Sequence, residues 1–262
     1  NLVSSFYLAL NTMSPALPHR LDQRYLVLIA WGFLVPFVWG FSAKWMQVFL
    51  GLQSLRPRLL FFALSTDVAG IALTIAGRGA MGSWLFVAAS ALAIGALRMF
   101  ERPQQQAKTR GVHSSFPFFI RMAYAWLLVA AMLGVAAVRW DSSGGIWGAS
   151  RHALTVGFVA VMVLSVGQRI LPAFAGMRLL WSTRLMFSGL VLLTTGCSLR
   201  VSCEVLAYQG YAAWAWSVLP VSALCELAAL TIFTINIAGT FVLEPSHASK
   251  QPIVVGVPAN IS

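Results

Sequence analysis

The sequence predicts an all-α fold: a polytopic helical membrane bundle of about seven transmembrane helices. Three observations predict it. The chain has 262 residues, 59% of them hydrophobic and only 10% charged, whereas a soluble domain carries roughly 25% charged residues. Its mean hydropathy is +0.79. Apolar runs of about 20 residues recur along it, the length that crosses a hydrocarbon core as a helix. The runs are continuous rather than alternating, which argues against a transmembrane barrel.

The net charge is +11. In membrane proteins Lys and Arg gather in cytoplasmic loops, and that bias alone raises the net charge. No basic run is interleaved with exposed aromatics, so nucleic acid is not an expected partner. The expected partners are the lipid bilayer and other membrane subunits. Cys197, Cys203 and Cys225 lie in apolar segments without a C-x-x-C spacing. They read as small buried hydrophobes, not as a disulfide framework. The chain starts at Asn1 with no signal-peptide pattern there, and reads as a fragment or a processed product.

Three regions follow: a lead over 1–24, the bundle over 25–242 and a tail over 243–262. The lead carries Pro15, Pro18, His19, Arg20 and Arg24, and its mildly amphipathic first half suits the membrane surface. Span one runs from about Tyr25 to Ala43, with a kink expected at Pro36 and its exit at Lys44 and Trp45. Met46–Leu52 is a short apolar piece before Arg56-Pro57-Arg58. Span two, about Leu59–Ala76, contains Asp67. Arg78 and Gly79 turn the chain into span three, about Ala80–Leu97, whose Ala, Gly and Ser suit close helix packing.

Residues 98–117 form the one long polar loop, with Arg98, Arg102, Lys108 and Arg110 against Glu101. Span four, about Phe118–Val138, has Arg121 one turn inside. The turn Arg139–Gly145 leads to span five, His152–Leu171, which Pro172 stops. Span six covers about Leu185–Leu206. Span seven, about Trp214–Val242, is interrupted by Pro220 and holds Glu226 and Asn236. The tail, with Pro245, Pro252 and Pro258, reads as extended. Most of the ten tryptophans fall near span ends, as an aromatic belt does.

An odd number of spans puts the termini on opposite sides. One set of loops holds Lys44, Arg56, Arg58, Arg98, Arg102, Lys108, Arg110, Arg121, Arg169, Arg178, Arg184 and Lys250. The other holds only Arg20, Arg24, Arg78, Arg139, Arg151 and Arg200. The richer side is expected to be cytoplasmic, with the amino end outside and the carboxyl end inside.

That topology sorts the residues able to carry chemistry. His152 and His19 fall on the outer side, His113 and His247 on the inner side. A neutral imidazole suits a metal or haem iron, so His152 is the first candidate ligand and His19 the second. A histidine at the headgroup boundary, bonded to water or a nearby loop, is the alternative. Arg200 and Glu204 are spaced i, i+4 on span six, with Cys197 one turn back. They form an intrahelical ion pair, or Arg200 holds an anionic group such as a haem propionate. Gln168 and Arg169 close span five and meet an anionic headgroup, or Arg169 snorkels. Ionisable groups inside spans face a bundle interior or a water-filled cavity. Asp67 and Glu226 are therefore proton-relay candidates, with a structural role, such as pairing with Arg, as the alternative.

The run H-A-L-T-V-G-F-V-A-V-M-V-L-S-V-G-Q-R at His152–Arg169 resembles the histidine-led span of the NnrS family. F-S-A-K-W-M-Q-V-F-L-G-L at Phe41–Leu52 and F-F-I-R-M-A-Y-A-W-L-L at Phe118–Leu128 resemble two further segments of that family, in the same order. Together they cover most of residues 25–200. The resemblance implies a haem- and copper-containing bacterial inner-membrane protein linked to nitric oxide. The family is longer, so this chain resembles its rear part. Its histidine-rich W-H-x-H-E-type front segment has no counterpart here, and its G-H-T-G-R-like turn is replaced by L-P-A-F-A-G at Leu171–Gly176. Of the family's ligands, the resemblance carries over His152, and Arg169 by position. The expected function is haem binding in nitric oxide response or related redox metabolism. Proton-coupled transport through Asp67 and Glu226, or a subunit role in a larger redox complex, is the alternative.

Overall fold

The computed structural model describes residues 25–107, 111–174, 176 and 178–243. Seven helices account for most of them: α1 Tyr25–Leu50, α2 Pro57–Ile75, α3 Gly79–Leu97, α4 Phe116–Trp140, α5 Gly145–Phe174, α6 Thr183–Tyr208 and α7 Ala215–Val242. Each is long and apolar enough to cross a membrane. The protein is a multi-pass, all-α membrane protein, with no strand among the described residues. The lead with His19, and the tail beyond Leu243, lie outside the described residues.

Two helices differ from the sequence reading. α1 does not exit at Lys44 but runs on to Leu50, where Gly51 caps it in the left-handed region at φ 66°. The apolar piece after Lys44 is thus its last turns. Pro36 does not end α1 either. A π-helical segment, Ala30–Leu34, precedes it. The proline ring crowds the carbonyl of the residue four back, here Gly32, and the wider π turn accommodates that.

α5 starts at Gly145, two turns before His152. The sequence from Asp141 to Gly145 looks like a turn, yet Asp141 builds the helix start. Its Oδ2 accepts the Trp147 amide at 2.8 Å and its Oδ1 accepts the Gly144 amide at 2.8 Å. These bonds satisfy amide groups that a helix start leaves without partners. Gln209 Nε2 donates to the same carboxylate at 2.9 Å, which ties the start of α5 to the end of α6. A second π segment, Ala153–Ala160, follows His152. Pro172 lies inside α5, which continues to Phe174.

α4 and α5 form the centre, and α2 and α7 the lipid-facing flanks, since little of either flank helix is buried. The core holds Trp39, Phe116, Phe119, Tyr124 and Phe158, all buried. The Tyr124 hydroxyl bonds Ser42 Oγ at 2.7 Å across α1 and α4. Trp31 stacks on Phe86 with centroids 4.4 Å apart. Trp31 and Trp39 thus belong to the core, while Trp45, Trp84, Trp140, Trp214 and Trp216 are exposed as a belt requires. In the polar loop, Glu101 bridges Arg56 at 3.0 Å and Arg98 at 2.7 Å.

At the carboxyl end of α7 a polar network replaces apolar packing. Asn236 Nδ2 donates to Gln168 Oε1 at 2.8 Å and to the Ser182 carbonyl at 2.9 Å, and its Oδ1 accepts the Ser182 amide at 3.0 Å. One side chain therefore joins α5, α6 and α7. Asn236→Leu is expected to lower stability by about 2 kcal/mol, because it strands Gln168 and the Ser182 backbone away from water. Thermal unfolding in detergent measures it, and a change under about 0.5 kcal/mol would refute the network's role.

Candidate functional site

At the opposite end of the same three helices, two carboxylates meet a histidine and two arginines. His152 Nε2 lies 2.6 Å from Glu226 Oε1, joining α5 to α7 across 74 residues of sequence. Both side chains are about one-fifth exposed, at 21% and 18%, so neither sits in bulk water. On α6, Arg200 Nε donates to Glu204 Oε2 at 3.3 Å, as the i, i+4 spacing predicts. Glu204 is buried.

Two glycines let the backbones come close enough for this. A Cβ at Gly148 on α5 would strike the Glu204 carboxylate. A Cβ at Gly196 on α6 would lie 2.8 Å from Glu226 Cγ and 2.9 Å from the Ser222 carbonyl. Side-chain carbons do not approach that closely, so only glycine leaves room for the carboxylates where they stand.

A cavity of about 370 Å³ opens beside these groups. Arg151, His152, Thr155, Arg200, Glu204 and Tyr208 are among the residues that line it. Glu226 does not line it and holds the His152 ring from α7. In the tautomer that carries its proton on Nε2, His152 donates to Glu226 and Nδ1 holds the lone pair. That arrangement, a carboxylate fixing the tautomer of a histidine, is the usual support of a ligating imidazole.

The structure thus brings together four of the residues singled out in the sequence: His152, Arg200, Glu204 and Glu226. It does not bring the others. His19 lies outside the described residues. Arg169 is 17 residues further along α5 than His152, roughly 25 Å away along a helix. There its guanidinium stands over the Phe49 ring at 5.5 Å. Asp67 is 1% exposed in α2, and neither carboxylate oxygen has a hydrogen-bond partner. The adjacent Thr66 hydroxyl donates to its own helix at Phe62 instead. Among the described residues no three or more His, Cys, Asp and Glu are grouped to hold a metal ion.

Arg151, which the sequence offered only as an outer-loop charge, and Tyr208 also line the site, and the His152–Glu226 contact was not foreseen. The signal was Asp141 followed by Ser-Ser-Gly-Gly. Taken as a helix start it moves span five two turns earlier, so that His152 lies inside the span and not at its rim.

Residues 19–238 match the family described as a domain of unknown function, DUF8744. The chain belongs to this family. The match includes His152, Arg200, Glu204 and Glu226, so the whole cavity lies within the DUF8744 domain. No curated protein and no solved structure matches the chain.

If close backbone approach holds the site together, Gly196→Val should destabilise the protein by about 3 kcal/mol, as overpacking does. A Cβ at Gly40 meets nothing within 4 Å, so Gly40→Ala, inside a helix, should be neutral or stabilising by up to about 1 kcal/mol. Thermal unfolding of both variants checks this, and equal effects would contradict it.

Proposed function

We propose that this DUF8744 protein binds haem at the His152 cavity and serves nitric oxide response or related respiratory redox metabolism. The observation that carries the reading is His152, held by Glu226 at 2.6 Å, on the wall of a cavity that Arg151 and Arg200 also line. In such a site His152 would supply one imidazole ligand, Glu226 would orient it, and Arg151 and Arg200 would meet the haem carboxylates. The resemblance of His152–Arg169 to the histidine-led NnrS span supports the same assignment. Among the described residues no three His, Cys, Asp or Glu are grouped to hold a metal ion, and His19, the second candidate ligand, lies outside them.

Bound there, haem iron supplies reversible ligation of a small diatomic gas and one-electron chemistry. The protein's own residues do the rest. Glu226 would hold the His152 ring in its orientation. Arg200, which donates Nε–H to Glu204, would meet a haem carboxylate with its remaining N–H groups. The lipid-facing flanks give an apolar gas a direct path. We place the protein in a bacterial inner membrane with its amino end outside, on the loop distribution of Lys and Arg. The cavity then faces the outer side.

A second reading, proton-coupled transport, has its own supporting observation: Asp67 is buried at membrane depth with neither oxygen partnered. The His152–Glu226 pair would then exchange the proton.

Optical spectra of the detergent-purified protein, as isolated and reduced, separate the two. Expression with ample haem should give a Soret band that disappears in His152→Ala and weakens in Glu226→Gln. A flat spectrum would overturn the haem reading. Proton flux in vesicles, lost in Asp67→Asn, would then favour transport.

A further inference from the structure

A larger cavity, about 860 Å³, lies at the other end of α5, between that helix and the last turns of α1. Its walls are of two kinds. Phe41, Trp45 and Phe49 line it at i, i+4 and i+8 on α1, a ladder roughly 12 Å long. Arg169 and Arg178 line it as well. Arg169 stacks over Phe49, the rung nearest the helix end. Arg178 is held at the rim by the carbonyls of Thr240 and Phe241 at the end of α7. Gln168, which the sequence offered as a partner of Arg169 at a headgroup, is committed to Asn236 instead.

The two kinds of wall are ordered by depth. The cations lie near the helix ends, at the membrane surface, and the aromatic ladder runs from there towards the bilayer centre. A soluble anion would use the first and leave the second. A neutral apolar molecule would do the reverse. A phospholipid with an anionic headgroup matches both at once, and basic pockets between transmembrane helices are known to take such headgroups. The cavity is also open to lipid, since Trp45 is 43% exposed. We propose that this cavity is a specific binding site for an anionic phospholipid, its phosphate against Arg169 and Arg178 and an acyl chain along Phe41, Trp45 and Phe49. The proposal is independent of what the His152 cavity binds.

The test uses the full chain in zwitterionic detergent, titrated with phosphatidylglycerol or phosphatidylcholine carrying identical brominated chains. Quenching of Trp45 is read as the difference between wild type and Trp45→Phe. Phosphatidylglycerol should bind about tenfold more tightly than phosphatidylcholine, whose choline cation is repelled by Arg169 and Arg178 and offsets the charge of its phosphate. Arg169→Gln should bring the ratio close to one, while Arg169→Lys keeps part of the preference. Phe41→Ala should weaken binding of both lipids. Thermal midpoints without lipid confirm that each variant is folded. Equal binding of the two lipids, or an unchanged preference in Arg169→Gln, would overturn the proposal. So would a thermal shift with glycerol phosphate as large as that with phosphatidylglycerol, because the site would then take a free phosphate.

Discussion

Hydrocarbon offers no hydrogen bonds, so a polar side chain inside this bundle must find its partner in the protein or remain without one. The contact between His152 and Glu226 meets that constraint at the place where three helices converge. It fixes the rotation of α5 against α7 at this end, much as the Asn236 network fixes it at the other. Between them the same helices pack through small residues and apolar side chains. The site therefore follows from how α5, α6 and α7 are fastened. Gly148 and Gly196 permit the approach, the carboxylates fill the space so created, and the histidine and arginines answer the carboxylates.

Two departures from regular α-helix accompany this design. The π segment Ala153–Ala160 begins directly after His152. Such a segment widens the helix and shifts the faces that follow it, and π turns recur at functional sites. It lets α5 present His152 to α7 and, further along, Gln168 to the same helix. The other π segment, in α1, solves a different problem, the proline at 36. Asp67 stands apart from both, a buried carboxyl group without a partner in a flank helix. Such a group is costly in a purely structural helix, which makes it a feature for function to explain.

Much of the fold was legible because a span is written in a single stretch of sequence. Length and apolarity located all seven helices, and the i, i+4 spacing of Arg200 and Glu204 offered their ion pair as one of two readings. Boundaries were less legible where polar residues take part in the helix. Gly144, Gly145 and Arg151 lower the local hydropathy, so span five seemed to open at His152, although the Asp141 cap starts it at Gly145. That displacement hid the site. With His152 at the rim and Glu226 inside span seven, the two appeared to differ in depth. Their meeting depends on a long-range packing of helices that no local pattern encodes, and the π segment cannot be read from hydropathy at all. The aromatic ladder beside Arg169 was hidden for a related reason. Phe49 lay beyond the expected end of span one, in a piece that proves to be the same helix.

The central claim is that His152 and Glu226 are energetically coupled and organise the site. A double-mutant cycle on unfolding stability in detergent, with His152→Gln, Glu226→Gln and the double variant, tests it most directly. A coupling of about 1–3 kcal/mol is the outcome the account predicts. Additive effects within about 0.3 kcal/mol would contradict it, for then the two residues would be neighbours without being partners.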